Sequence, residues 1–239
     1  WPFFRAAFPG AAVLSGGRTG YSPRPPPAPG ACPETPRRPV PHFDDGFRRT
    51  LADLFAWRRD VRRFRTDPVP EEAFLACLDL ARLSPSVGNS QPWRFVRVSD
   101  PARRAAVTAS FSRCNEAAAS TYADERAAAY RSLKLAGLRE APLHLAVFCD
   151  EATGAGHGLG RATMPEMLRY SAVTAVHTFW LAARIRGLGV GWVSILCPEE
   201  VTASLDVPAA WRLIAYLCVG WPEEDCDVPE LVRAGWERG

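Results

Sequence analysis

With 239 residues, 47% apolar and 23% charged, the chain has the composition of an ordinary soluble globule and is long enough to bury a sizeable core, in one large domain or two small ones. A net charge of +3 is too mild to argue for a nucleic-acid partner; of the 29 basic residues only Lys134 is lysine, a bias that GC-rich codons produce. No run reaches the ~18 apolar residues of a membrane span, since the best, 170–183, carries His177 and lies between Arg169 and Arg184.

The first 43 residues hold half of the 22 prolines, including "PRPPPAP" at 23–29. Such a stretch lacks backbone donors and favours extended geometry, so it reads as a disordered leader. Within it "FPGAAVLSGG" is broken by Pro9, Gly10 and a glycine pair, which makes a poor secretory segment. Residues 44–239 read as one domain.

That domain opens on "DDGFRRTLADLFAW" (44–57), with a capping aspartate and Phe47, Leu51, Leu54 and Phe55 spaced along one helical face. A second helix is predicted within 67–83, with Pro70 in its first turn and Glu71 and Glu72 at its positive end. "PWRFVRV" (92–98) alternates as a strand does. The alanine-rich stretch 101–140 reads as helix in two pieces, and "PLHLAVFCD" (142–150) as a second strand. Residues 165–189 form a long helix, apolar nearly all round and therefore central, with Gly187 as its stop. Strands at 190–196 and 211–222 flank a short helix at 198–205, and the polar-aromatic tail is suited to wrap a neighbour. The expected fold is α+β, with about four strands under several helices.

The seven cysteines are scattered without a C-x-x-C pair, and Cys149 and Cys218 lie in apolar runs. This points to small core thiols, a reducing compartment and no metal site. His144 and His177 lie in core-like elements, and the four histidines lack ligand spacing. "GAGHGLG" (154–160) fits no G-x-G-x-x-G register and reads as a flexible loop.

"RRDVRRFR" (58–65) crowds five arginines around Asp60. Arg58, Arg59, Arg62 and Arg63 sit at a helix end, where guanidinium forks suit a phosphate; a solvated basic turn is the plainer reading. Downstream, "SPSVGNSQPWRF" (84–95) sets small residues, Asn89 and Gln91 between a helix and a strand. Such a loop offers amides and backbone N–H groups to a planar polar ring.

R-R-x-x-R followed by P-S-x-x-N-x-Q-P-W resembles the FMN-binding pattern of the nitroreductase superfamily. The resemblance narrows with Asp60, which stands where flavin-cycling members keep a small hydroxyl residue. "YRSLKLAGLREAP", "GLGRATMPEMLRYS", "GLGVGWVSIL" and "YLCVGWPEE" extend it over about 45–237, and together they look like the branch of the superfamily that forms 5,6-dimethylbenzimidazole. One departure is Ala136, where an acidic residue is expected.

The resemblance implies a three-layer sandwich whose mixed, mostly antiparallel sheet is flanked by helices. It implies a cytoplasmic homodimer with flavin at the interface, no metal, and reduced FMN as a substrate that O2 helps to fragment into 5,6-dimethylbenzimidazole and erythrose 4-phosphate. A flavin reductase would supply the reduced FMN. Arg58, Arg59, Arg62 and Arg233 would hold the phosphate, and Pro85, Ser86 and Asn89 would border the ring. The segment 111–141, with Tyr122, Tyr130 and Leu135, would form a lid.

Fragmentation needs water excluded and a group that moves protons. Asp60 is the candidate, kept charged by surrounding cations; the simpler role is an ion pair with Arg58 or Arg62. Ser194 matches the family's active-site serine. A conventional FMN-dependent NAD(P)H nitroreductase remains the alternative, and a flavin-binding module without turnover would need neither Asp60 nor Ser194. A nucleic-acid arm would need aromatics interleaved over a longer stretch than Trp57 and Phe64 provide.

Overall fold

The computed structural model describes residues 5–8, 11–14 and 39–238. The sheet is six-stranded, in the order β1-β2-β3-β4-β6-β5, and every neighbouring pair is antiparallel. Its four longer members are β3 (Trp93–Val98), β4 (Leu143–Asp150), β5 (Gly189–Val193) and β6 (Trp211–Gly220). The four strands expected from the sequence are therefore present.

The other two, β1 (Arg5–Phe8) and β2 (Ala11–Leu14), fall in the segment expected to be disordered. β2 pairs with β3 from Ala11↔Val98 to Leu14↔Phe95, so these eight residues depart from that expectation: an open strand edge templates pairing by a neighbouring extended segment. Much of the rest of the leader, "PRPPPAP" included, lies outside the described residues. The described core clusters run from Phe64 to Val219. We propose that 44–239, which supplies both of these clusters, folds alone: deleting 1–43 should move the melting temperature by less than about 4 °C, the scale of about 1 kcal/mol or slightly more. A larger fall on calorimetry would make β1 and β2 part of the folding unit.

Period-two alternation decides the layers. On β4, Leu143, Leu145, Val147 and Cys149 join a cluster with Phe74, Cys77 and Leu78 of α2 (Glu71–Ala81) and with Ala172, Ala175, Val176 and Phe179 of α5 (Met167–Arg184). Ala146 and Phe148, pointing the other way, pack with Val107 of α3 (Pro101–Ala119) and with Val201 and Leu205 of α6 (Pro198–Leu205). Helices thus cover both faces, giving the α+β three-layer sandwich. α4 (Asp124–Ser132) completes the two-piece helix expected before β4.

α1 (Asp45–Trp57) is capped as expected, Asp44 Oδ1 accepting from Phe47 N–H at 2.8 Å. It has no buried residue, and Phe47, Leu51, Phe55 and Trp57 are exposed. α5 is central along one face only; Tyr170 and Val173 are exposed on the other. His177, expected in the core, stacks on Phe55 at that surface with ring centroids 6.3 Å apart. The tail, expected to wrap a neighbour, lays Trp236 edge-on against Tyr122 and Tyr130 of its own chain. No helix among the described residues is long and apolar enough to cross a membrane.

Cys149 and Cys218 are fully buried, and burial pushes both thiols up to about 12. His144 is also fully buried, with Nδ1 2.9 Å from the Tyr216 hydroxyl. Burial, then the charge of Arg104, lowers its pKa to about 3. The folded state therefore holds this imidazole neutral. The stability it contributes is complete above the ordinary histidine pKa of about 6.5 and is lost as pH falls from there toward 3, on the order of a few kcal/mol. Urea unfolding at pH 7 and pH 4.5 should show that decline, and His144→Gln should flatten it.

Candidate active site

At Arg58 the chain leaves α1 (φ −74°, ψ 113°) and runs extended beside β5. Asp60 bridges Val190 in parallel, Val61 N–H donates to the Val190 carbonyl at 3.0 Å, and Phe64 bridges Pro222. Two glycines of "GLGVGWV" permit this approach. A Cβ on Gly189 would lie 2.8 Å from Val61 Cγ2, and one on Gly191 would run into the Val61 carbonyl oxygen.

The contact places Asp60 firmly. Its Oδ1 accepts the Trp192 N–H at 2.9 Å, its Oδ2 accepts Arg62 Nε at 2.8 Å, and a third of the side chain stays exposed. Both oxygens are oriented while one edge remains open, as a proton-transfer group requires.

The arginines divide by partner. Arg62 also donates to the Lys134 carbonyl at 3.2 Å and is almost buried, so its fork faces Asp60 and the turn beyond. Arg59 Nε donates to the Asp227 carbonyl at 2.6 Å. Arg63 faces Glu230 at 3.5 Å, and Arg233, on the short helix α7 (Glu230–Arg233), is 2.7 Å from Glu224. Arg58 has no hydrogen-bonding partner for its guanidinium among the described residues; it stacks on Trp180, 5.0 Å from the ring centroid. Burial and then Arg59 lower its pKa, with Asp60 opposing. Arg59, Asp60, Arg62 and Arg233 line one small cavity of about 40 Å³.

The second half of the site hangs on α5. Thr174 Oγ1 donates to the Pro85 carbonyl at 3.2 Å, the Ser84 and Thr178 hydroxyls bond at 2.7 Å, and Ser171 Oγ accepts the Val87 N–H at 3.0 Å. Further along the same helix, Trp180 Nε1 donates to the Arg59 carbonyl at 3.2 Å. From Ser171 to Trp180 the helix rises about 14 Å, so a single rigid element registers the loop against the arginine stretch. Inside the loop, Ser86 Oγ accepts the Gln91 N–H at 3.0 Å, while Pro85 and Asn89 are exposed. Asn89 and Gln91 adopt positive φ (53° and 46°). "GAGHGLG" has a packing role beyond that of a flexible loop: a Cβ on Gly156 would lie 2.8 Å from the Gly88 carbonyl oxygen, so it braces the loop from beneath.

Ser194 lies one residue past β5 rather than within a strand, is exposed, and makes no side-chain hydrogen bond among the described residues. It is two residues from the Trp192 N–H that holds Asp60. Trp180 and Trp192 were not singled out in the sequence; a tryptophan in an apolar helix or strand signals core first, and only the fold shows their polar contacts.

Known proteins share this fold and much of this sequence. The model of the Nitroreductase family matches residues 55–221. The chain is 64% identical to 5,6-dimethylbenzimidazole synthase of Rhodospirillum rubrum over 84% of this chain and 95% of that protein. It is 48% identical to the protein of the same name from Rhodobacter capsulatus, over 82% and 95%. Among solved structures, oxidised iodotyrosine deiodinase bound to FMN and 3-iodo-L-tyrosine superposes with a TM-score of 0.63 at 27% identity, covering 74% of this chain and 91% of that one. A BluB-like flavoprotein from Clostridium difficile shares the fold, with a TM-score of 0.59 at 21% identity, over 75% and 93%. The chain belongs to the nitroreductase family.

Proposed function

We propose that this protein is a 5,6-dimethylbenzimidazole synthase that takes reduced FMN as substrate and, with O2, fragments it to 5,6-dimethylbenzimidazole and erythrose 4-phosphate. The observation that carries this reading is Asp60, an oriented and partly open carboxylate in the midst of the arginine stretch. The names of the two bacterial relatives support the same product.

The residues present suit FMN. Arg58 keeps its donors uncommitted among the described residues and is steadied by Trp180, which fits a phosphate monoester. Arg59 and Arg233, which line the cavity beside Asp60, would add donors on releasing their present partners. Pro85, Ser86 and Asn89 would border the ring, the rigid loop supplying shape. The bound flavin supplies the reducing electrons and the atoms of the product; this chain orients it and moves protons. Asp60 takes and returns a proton, and Ser194 hydrogen-bonds the flavin edge. The exposed apolar face of α1 and α5, with Phe47, Phe55, Tyr170 and Val173, would close in a homodimer that shields the flavin from water. A separate flavin reductase would supply reduced FMN in the cytoplasm, and no step calls for a metal.

The test is aerobic incubation with excess reduced FMN followed by chromatography for 5,6-dimethylbenzimidazole. Product sustains the reading; NAD(P)H-driven reduction of nitro compounds with FMN returned intact would favour a conventional nitroreductase. Within the same account, Arg58→Ala should weaken FMN binding by about 1.5–3 kcal/mol, the scale of a hydrogen bond to a charged group. Titration of protein fluorescence by FMN would show it, and unchanged affinity would remove Arg58 from the phosphate site.

A further inference from the structure

The turn between α4 and β4 reaches the candidate catalytic carboxylate through a short chain of contacts. Lys134 Nζ donates to Glu140 Oε1 at 2.7 Å, closing the turn on itself. The Lys134 carbonyl accepts from Arg62, and Arg62 Nε donates to Asp60 Oδ2. The turn is also pressed on the extended segment that carries Asp60. A Cβ on Gly137 would collide with the Phe64 ring and come within 3.1 Å of the Arg62 carbonyl oxygen.

Arg62 is only 12% exposed, and the turn's ion pair is about two-thirds covered on each side. Burial raises the pKa of Glu140, yet the Lys134 hydrogen bond and charge outweigh it and leave the carboxyl below its ordinary value. The Glu140 carboxyl is thus ionised at neutral pH. A guanidinium held at two points has one orientation, whereas one held at a single point swings.

We infer that Lys134 and Glu140 are positioning residues for Asp60, acting through Arg62. Arg62 serves this geometry rather than grasping the flavin phosphate. The inference rests on Asp60 being the proton-transfer group of the proposed reaction.

The test uses the full chain with Glu140→Gln, with Lys134→Gln as a second variant should the first fold poorly. The double exchange Lys134→Glu/Glu140→Lys rebuilds the ion pair in reverse. The first readout is the rate constant for product at saturating reduced FMN, set beside the FMN dissociation constant. The second is independent of turnover: hydrogen exchange at Arg62 Nε by 15N–1H NMR, its signal assigned by its loss in Arg62→Lys. Each single variant should slow product at least tenfold, change FMN affinity less than threefold and speed exchange at Arg62 Nε. The double exchange should restore both readouts. An unchanged exchange rate, or a loss of affinity in place of rate, would overturn the inference. If the unaltered protein forms no 5,6-dimethylbenzimidazole, the functional reading fails, and Nε exchange alone decides whether the turn positions Arg62.

Discussion

Asp60→Asn should form 5,6-dimethylbenzimidazole about 10²–10⁴-fold more slowly than the unaltered protein, the usual cost of losing a positioned acid–base group, while still binding FMN. The amide keeps the size of the carboxylate but cannot take a proton. It also cannot satisfy both neighbours: Trp192 N–H and Arg62 Nε are donors, and an amide has one acceptor oxygen. A modest loss of stability, about 1–2 kcal/mol, should therefore accompany the loss of rate. FMN affinity should stay within about threefold of normal, because neither contact engages Arg58; that figure is about 0.7 kcal/mol at the affinity scale of 1.4 kcal/mol per tenfold. Rate is checked by chromatography, affinity by fluorescence and stability by urea unfolding. Near-normal product formation would reduce Asp60 to an ion-pair partner of Arg62. Ser194→Ala should also slow product, by less, since its hydroxyl orients rather than moves a proton.

Gly191→Ala should damage fold and activity together. The added methyl would run into the Val61 carbonyl oxygen, which is backbone and cannot rotate away. Relief requires the 60–64 segment to lift from β5, breaking the Val61–Val190 hydrogen bond and withdrawing Asp60 from the Trp192 N–H. Overpacking of this kind costs about 3 kcal/mol, or roughly 6–12 °C of melting temperature for a domain of this size. Calorimetry measures the first effect and product formation the second. A variant of normal stability would show that the segment is not seated on β5.

Much of this was legible beforehand, for physical reasons. Asp44 as a cap, Pro70 and the paired glutamates marked helix starts, and period-two alternation marked the strand at 92–98. Asp60 was conspicuous because an acid inside an arginine run is electrostatically odd. What stayed hidden was the choice among equals. Nothing local separates Arg58 from Arg62; they differ because extended backbone turns one toward Trp180 and the other toward Asp60 and Lys134. Backbone donors carry no residue signature, so the Trp192 N–H on Asp60 could not be read from the identity of position 192. The exposed side of α5 was masked because an outward apolar stripe and a buried one share the same periodicity. β1 and β2 escaped notice because short edge strands owe their existence to the neighbour they pair with more than to their own composition.

The central claim is that the flavin is consumed, and a mass balance tests it most directly. Protein at a tenth of the concentration of reduced FMN, supplied with O2 and a reducing system, should lower total flavin by more than one equivalent per protomer. 5,6-Dimethylbenzimidazole should appear mole for mole with the loss. Total flavin conserved through many cycles of reduction and reoxidation would contradict the account and leave a flavin-cycling oxidoreductase.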